Sequence, residues 1–258
     1  MNILTTICAR AGSKGVKSKN TRDFAGYPLA YYTLSAYSLF VKEFGNSYDT
    51  LHLAVNTDST VLLEQLDKTN ISYDYIPRKE DLGGDYVSKA DVIKDTMLAM
   101  EEKYGITYDY VLDLDLTSPL RMAKDIEGVL QVLIADNNAD MSYSVTDSRR
   151  LPFFNMVMKK ENGYYDNVIQ STYVSRQQAP QCFDMNASIY AYRRAFLLNT
   201  SPEALAGCKA LIWPMVDTAV LDIDSEKDLE LMEYLSNFFF EKYEELRQVK
   251  DDIINIIN

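Results

Sequence analysis

Five cations, Arg10, Lys14, Lys17, Lys19 and Arg22, precede the first acidic residue, Asp23, in a chain whose formal net charge is -12. The first four are interleaved with Gly12, Ser13 and Gly15 in the run Ala9 to Asn20, directly after the apolar Ile3 to Cys8. Glycine reaches φ > 0, so successive backbone N–H groups at Gly12 and Gly15 could converge on one anion while the cations hold it. The stretch reads as a phosphate-binding loop. Its spacing is not GxxxxGK[ST], because two residues separate the glycines and Lys14 lies between them, and it is not GxGxxG. A strand followed by a solvated basic turn has the same local pattern.

Acidic pairs recur further on. Asp222 and Asp224 flank Ile223 after Val220-Leu221, and two carboxylates at i and i+2 of an extended segment share a side. That pair suits magnesium, which takes one or two carboxylates plus water and phosphate oxygens. Aspartates at this place would equally serve the dipole of a helix starting near Ser225. Asp113 and Asp115 repeat the spacing ahead of Thr117, Ser118 and Arg121, where a Ser-Pro turn is the simpler reading. Arg176 and Gln177, then Asn186 and Tyr190, concentrate hydrogen-bonding groups in a short span. Arg176 could hold a carboxylate through two parallel bonds, which suits an acidic sugar. The same residues could line an exposed polar loop.

Several classes are disfavoured by composition. The acidic balance opposes nucleic acid and anionic membrane as partners, so any phosphate partner is expected to be small and locally bound. Cys8, Cys182 and Cys208 are widely spaced and form no CxxC, which indicates neither a disulfide framework nor a thiolate zinc site. His52, the sole histidine, sits in the strand-like Leu51 to Val55 and leaves no histidine for a nucleophilic triad. No secretory leader pattern opens the chain and no uncharged apolar run of about 18 residues occurs, so a cytoplasmic protein is expected.

The elements that must position these residues alternate. Short apolar runs at Ile3 to Cys8, Leu51 to Val55, Tyr73 to Ile76 and Tyr110 to Leu116 are separated by helix-like stretches at Leu29 to Phe44, Thr60 to Thr69 and Ala90 to Lys103. A helix over Asp125 to Ile134 and strands at Met141 to Val145 and Ala187 to Tyr192 continue the pattern. Such alternation predicts a three-layer α/β/α, Rossmann-like, mostly parallel sheet. Ligands there bind beyond the carboxyl ends of the strands, where the basic loop emerges. Between Leu151 and Arg176 the pattern turns β-prone around Asn162-Gly163, a hairpin signal, and predicts an inserted arm at about 150–176. Ser225 to Val249 reads as one helix with Ser225 as N-cap and Asp228 completing a near capping box. Phe238, Phe239 and Phe240 are expected to pack on the body or on a partner subunit. The predicted division is a main domain over 1–235 and a helical extension over 236–258.

The chain resembles the cytidylyltransferases that make CMP-linked nonulosonic acids. Ala9 to Asn20 is similar to their A-R-x-G-S-K-G-x-x-x-K-N signature, and the likeness continues in order through Gly26-Tyr27-Pro28-Leu29, Asn56-Thr57-Asp58, Arg78, Thr117-Ser118-Pro119-Leu120-Arg121, Arg176 to Pro180, Asn186 to Tyr190 and Asp222-Ile223-Asp224. It spans roughly residues 3 to 235. Acylneuraminate enzymes typically carry Gln where this chain has Asp115, and Asn-Gly-Ala-Ile-Tyr where it has Asn186-Ala187-Ser188-Ile189-Tyr190. Both departures are similar to the branch that activates legionaminic acid. The resemblance implies a nucleotidyltransferase-like fold with a dimerisation arm, a homodimer, and transfer of CMP from CTP to the anomeric hydroxyl of N,N'-diacetyllegionaminic acid with release of pyrophosphate. Alternatives are CMP-N-acetylneuraminate or CMP-Kdo synthesis, or a nucleotide-binding regulator without catalysis.

For the site, the resemblance implies catalytic roles for Arg10, Lys19 and Asp224, and nucleotide binding by Ala9, Arg10, Gly12, Ser13, Lys19, Asn20, Arg78 and Ser88. Sugar binding is implied for Asp115, Thr117, Ser118, Arg176, Gln177, Asn186 and Tyr190. Magnesium would lie on Asp222 and Asp224.

Overall fold

The computed structural model describes residues 1–12, 16, 18–84, 87–217 and 223–257. Seven strands form the central sheet: β1 (Asn2–Ala9), β4 (Thr50–Thr57), β5 (Asp74–Pro77), β6 (Tyr110–Leu114), β7 (Met141–Asp147), β10 (Phe183–Arg193) and β11 (Ala210–Pro214). Two short strands, β2 (Asp23–Phe24) and β3 (Tyr27–Pro28), make a separate ribbon, and β8 (Val157–Lys159) and β9 (Tyr165–Asn167) make another. The order across the main sheet is β11-β7-β10-β6-β1-β4-β5. β10 runs antiparallel to β6 and β7, and the other pairings are parallel. The expectation of a mostly parallel sheet holds.

Strand periodicity creates the layers. Ile3 and Ile7 of β1 join one apolar core with residues of α1 (Leu29–Phe44) and α4 (Ala123–Ala135), while Leu4 faces a second core with Ile93, Met97 and Met100 of α3 (Lys89–Tyr104). α2 (Thr60–Leu66) is shorter than expected: its C-terminal turn closes at Asp67, and Thr69 Oγ1 donates to Leu66 O. The strand expected to Leu116 ends at Leu114. Two short helices, α5 (Arg194–Leu198) and α6 (Pro202–Ala206), separate β10 from β11.

The single helix predicted over Ser225 to Val249 is two, α7 (Glu226–Lys242) and α8 (Glu244–Ile256). Tyr243 between them is extended, with φ -115° and ψ 111°, which interrupts the helical hydrogen-bond ladder. The bend turns the apolar face of α8, Leu246, Val249, Ile253 and Ile256, into the main core. Ser35 Oγ donates to Val249 O at 2.6 Å and Asn70 N to Ile256 O at 2.8 Å. The boundary expected at 235/236 therefore falls inside α7, and the last helix is part of the core. The N-terminal expectation for α7 is met: Ser225 Oγ accepts from Asp228 N and Asp228 Oδ2 accepts from Ser225 N, at 3.2 and 2.7 Å. Phe240 is buried and stacks on Tyr32, whereas Phe238 is exposed.

The inserted arm lies between β7 and β10. β8 and β9 pair as a hairpin whose turn holds Gly163 at φ 86°, the left-handed region that glycine enters freely. Among the described residues no helix is long and apolar enough to cross a membrane.

Candidate active site

The basic loop leaves the carboxyl end of β1, beside the carboxyl end of β4. Ala11 N donates to Asp58 Oδ1 at 2.6 Å, and Asn20 Nδ2 donates to Arg10 O at 3.1 Å, so the loop is tied down at both ends. The described part of this turn takes its left-handed residue at Ser18, φ 55°, while Gly12 lies outside that region and a Cβ there would meet nothing within 4 Å. The conformational need expected of Gly12 is thus carried by Ser18. Ser13, Lys14, Gly15, Lys17 and Asp222 lie outside the described residues. Arg10, Ala11, Asn20 and Asp58 line a small cavity of about 190 Å³. Arg78 donates from Nε to Asn56 Oδ1 at 3.0 Å, which holds the guanidinium at the end of β4.

Lys19 reaches across to the segment before α7. Its Nζ lies 3.1 Å from Asp224 Oδ1, joining the loop cation and the acidic motif that the sequence separates by 205 positions. Arg22 makes a bidentate pair with Glu226 at 2.9 and 3.1 Å and clamps the same two segments. Ile223 N then donates to Thr117 O at 3.4 Å, and Thr117 donates from N and Oγ1 to Asp115 Oδ1 at 3.1 and 2.9 Å.

Asp115 opens the second half of the site. Lys89, the first residue of α3, places Nζ 2.7 Å from Oδ2 of both Asp113 and Asp115. The two carboxylates do share a side, as their spacing predicts. Asp113 is wholly buried and also accepts from Thr6 Oγ1 at 2.9 Å. Burial alone would raise the Asp115 carboxyl, but the Lys89 ammonium and the Thr117 bonds hold it well below the usual carboxylate range. Burial opposes the charge on Lys89, yet Asp113 and Asp115 keep the ammonium protonated well above its ordinary range. Cys8 near this cluster is pushed up by burial and by Asp113, so it is an unreactive thiol.

Arg121 fixes the backbone here. It is fully buried and donates to the carbonyls of Ser118, Ser188 and Asp115, locking the turn after β6 against β10. Ser188 follows Ala187, which has φ 52°, at the register shift between Met185 and Tyr190 where β10 bulges from β7.

The expected sugar residues divide into groups. Asp115 and Tyr190 line a cavity of about 490 Å³, together with Ser88, which was expected on the nucleotide side. Arg176 and Gln177 line a separate cavity of about 410 Å³ with Asp147 and Gln181, and Arg176 donates to Ser148 O at 2.6 Å. Asn186 is buried, its Oδ1 accepting from Ser144 Oγ at 2.6 Å and from Ser188 N at 3.2 Å, so it supports the bulge from beneath. Ser118 and Thr117 are buried in the turn. Sequence reasoning missed Lys89 and Glu226, and quoted Asp58 only within the motif Asn56-Thr57-Asp58 without a role. Lys89 gave a weak signal only, a lone cation at a helix start, because its meaning depends on two aspartates across the sheet.

No protein-family model matches the chain. It is 33% identical over 236 residues to post-translational flagellin modification protein B of Campylobacter coli, covering 90% of this chain and 94% of the relative. It is also 33% identical over 233 residues to the CMP-N,N'-diacetyllegionaminic acid synthase of Campylobacter jejuni subsp. jejuni serotype O:2, with the same coverage. The chain belongs to the CMP-nonulosonic acid cytidylyltransferase family. A CMP:2-keto-3-deoxy-manno-octonic acid synthetase solved with CTP superposes with a TM-score of 0.65 at 18% identity, over 93% of this cytidylyltransferase and all of that chain. That likeness shows a shared fold.

Proposed function

We propose that this cytidylyltransferase transfers CMP from CTP to the anomeric hydroxyl of N,N'-diacetyllegionaminic acid. The observation that carries the reading is the continuous polar line Lys19–Asp224, Ile223–Thr117, Thr117–Asp115, which links the basic loop to a cavity of about 490 Å³, within the range of small-molecule pockets. The name of the relative from Campylobacter jejuni supports the choice of sugar.

In this reading Arg10 and Lys19 meet the triphosphate, Ala9, Gly12, Ser13 and Asn20 border the nucleotide, and Arg78 takes the cytidine side. The anomeric oxygen attacks the α-phosphorus in line, the bond from that phosphorus to the bridging oxygen breaks, and pyrophosphate leaves with the electron pair. Positioning and charge neutralisation supply most of the acceleration. Asp224 is mostly exposed and among the described residues pairs with Lys19 alone, so its hard oxygens fit a magnesium ligand or an acceptor for the hydroxyl proton. Asp222 and Asp224 would hold magnesium, which when bound offsets the triphosphate charge. Among the described residues no group of three or more His, Cys, Asp or Glu side chains could hold a metal; magnesium takes substrate oxygens and water beside one or two carboxylates.

The arm is read as a homodimerisation element carrying Arg176 and Gln177 toward the sugar carboxylate, and the reaction as cytoplasmic. The test is pyrophosphate release from CTP with a panel of acids. N,N'-diacetyllegionaminic acid is expected to be the best substrate, and equal or better use of N-acetylneuraminic acid would overturn the sugar assignment.

A further inference from the structure

The cavity beside Asp115 presents one hydrogen-bond donor and one acceptor left over from the ion cluster at its end. An ammonium carries three N–H groups, and two of those on Lys89 face Asp113 and Asp115 at 2.7 Å. Oδ1 of Asp115 is filled by the two Thr117 bonds, while Oδ2 keeps one lone pair beyond the Lys89 bond. Among the described residues no other hydrogen bond reaches Nζ or that oxygen. The side chains of Lys89 and Asp115 are 35% and 27% exposed, and Nζ stands 6.0 Å from the centroid of the Tyr190 ring. Apart from Ser88 and Cys208 the remaining walls are apolar or aromatic, chiefly Met141, Tyr143, Met185, Tyr190 and Leu205.

These features select a chemistry. A carboxylate would meet a cluster of two carboxylates and one ammonium, whose sum is negative. A hydroxyl could answer both the donor and the acceptor but would leave the walls unfilled. A secondary amide with a short alkyl group answers all three, with its N–H to Asp115, its carbonyl oxygen to Lys89 and its methyl group against Tyr143 or Leu205. We infer that Lys89 and Asp115 act as a pair that reads the acylamino group on the side chain of the acidic sugar, with Lys89 as a specificity-determining residue. The inference rests on the nonulosonate reading above. It identifies the end of the sugar that occupies this cavity and leaves the carboxylate to the Arg176 side.

The experiment compares pyrophosphate release for two nonulosonic acids that differ in an acetamido group against a hydroxyl on the side chain, with CTP saturating. The unmodified enzyme is expected to favour the acetamido acid by about tenfold or more in kcat/KM, since a site with polar groups built for an amide leaves them unpaired with the analogue. Lys89→Met should abolish that preference, and Lys89→Arg, which keeps a cation for Asp113 and Asp115 but replaces a compact ammonium by a planar fork, should reduce it. Leu205→Trp should raise KM for the acetamido acid about tenfold with KM for CTP unchanged. Thermal unfolding of each variant identifies any that fail to fold, and Lys89→Arg with Leu205→Trp decides if Lys89→Met is among them. Equal loss for both acids in the folded variants would overturn the pairing while the transfer reaction stands. Turnover of neither acid by the unmodified enzyme would instead overturn the proposed function and this inference together.

Discussion

In the strip running from Lys19 through Asp224, Thr117 and Asp115 to Lys89, charges meet their opposites within one chain, whereas the arm between β7 and β10 turns apolar side chains outward. Asp113 at the buried end of the strip is inaccessible, while Tyr164 and Val174 of the arm are 76% and 79% exposed. A buried charge is stable only with a counter-charge in place, so the strip is preorganised by its own residues. Exposed aromatic and branched side chains gathered in one segment are the mark of an interaction surface. In the proposed homodimer the strip is held by contacts within one subunit, and the arm presents the surface that the partner would cover.

The largest effect should come from the buried end of the strip. Asp113→Ala leaves Lys89 with one carboxylate and removes one of the two acceptors of Thr6 Oγ1, so it should cost about 3 kcal/mol of stability, the scale of breaking a buried pair. Chemical denaturation measures it, and a loss below about 1 kcal/mol would break the claim that the strip is held by charge.

Asp224→Asn probes the exposed end of the same strip. It keeps volume and removes the charge that meets Lys19, so turnover should fall at least about a hundredfold, worth roughly 2.7 kcal/mol, with the fold intact. Near-normal turnover at saturating magnesium would contradict the metal role. The oligomeric state should not change.

The reverse pattern is expected for the arm. Tyr164→Ser combined with Val174→Asp removes apolar surface and adds charge, so sedimentation should show a shift from dimer to monomer with the unfolding temperature of the subunit little altered. A variant that stayed dimeric would assign the exposed arm another role.

Acidification separates the two regions more finely. Asp115 has its folded carboxyl below the ordinary value, so its contribution to stability is complete above about pH 4 and is lost as the pH falls further. Asp115→Asn should flatten the acid limb of the stability profile. An unchanged limb would place that dependence on other carboxylates.

The smallest effect belongs to the bulge that shapes the cavity. Ala187 holds φ 52°, so Ala187→Gly should gain up to about 1 kcal/mol from relieved backbone strain, offset in part by the freedom glycine adds to the unfolded chain. Thermal unfolding reads it, and clear destabilisation would mean the Cβ of Ala187 contributes packing that outweighs the strain.

The sequence by itself determined the layers and the chemistry of the ends. Period-2 runs such as Ile3 to Cys8 and the helical stripe Leu29 to Phe44 encode burial locally, and the Ser225–Asp228 cap is complete within four residues, so these were legible without a fold. The order of motifs was also enough to indicate the family. Only the tertiary structure decided how the motifs meet. Lys19 and Asp224 become neighbours because β1 lies beside β6 and Ile223 docks on Thr117, a closure no local pattern records. The break at Tyr243 was invisible because a tyrosine is an ordinary helix residue, and the bend is imposed by the apolar groove of α1 that α8 fills. Asn186 read as a ligand-facing amide, yet the register shift in β10 turns it into the sheet and sends Met185 and Ala187 to the cavity. Lys89 acquired its role from two carboxylates at the end of β6, because the electrostatic state of a side chain is set by what surrounds it in space.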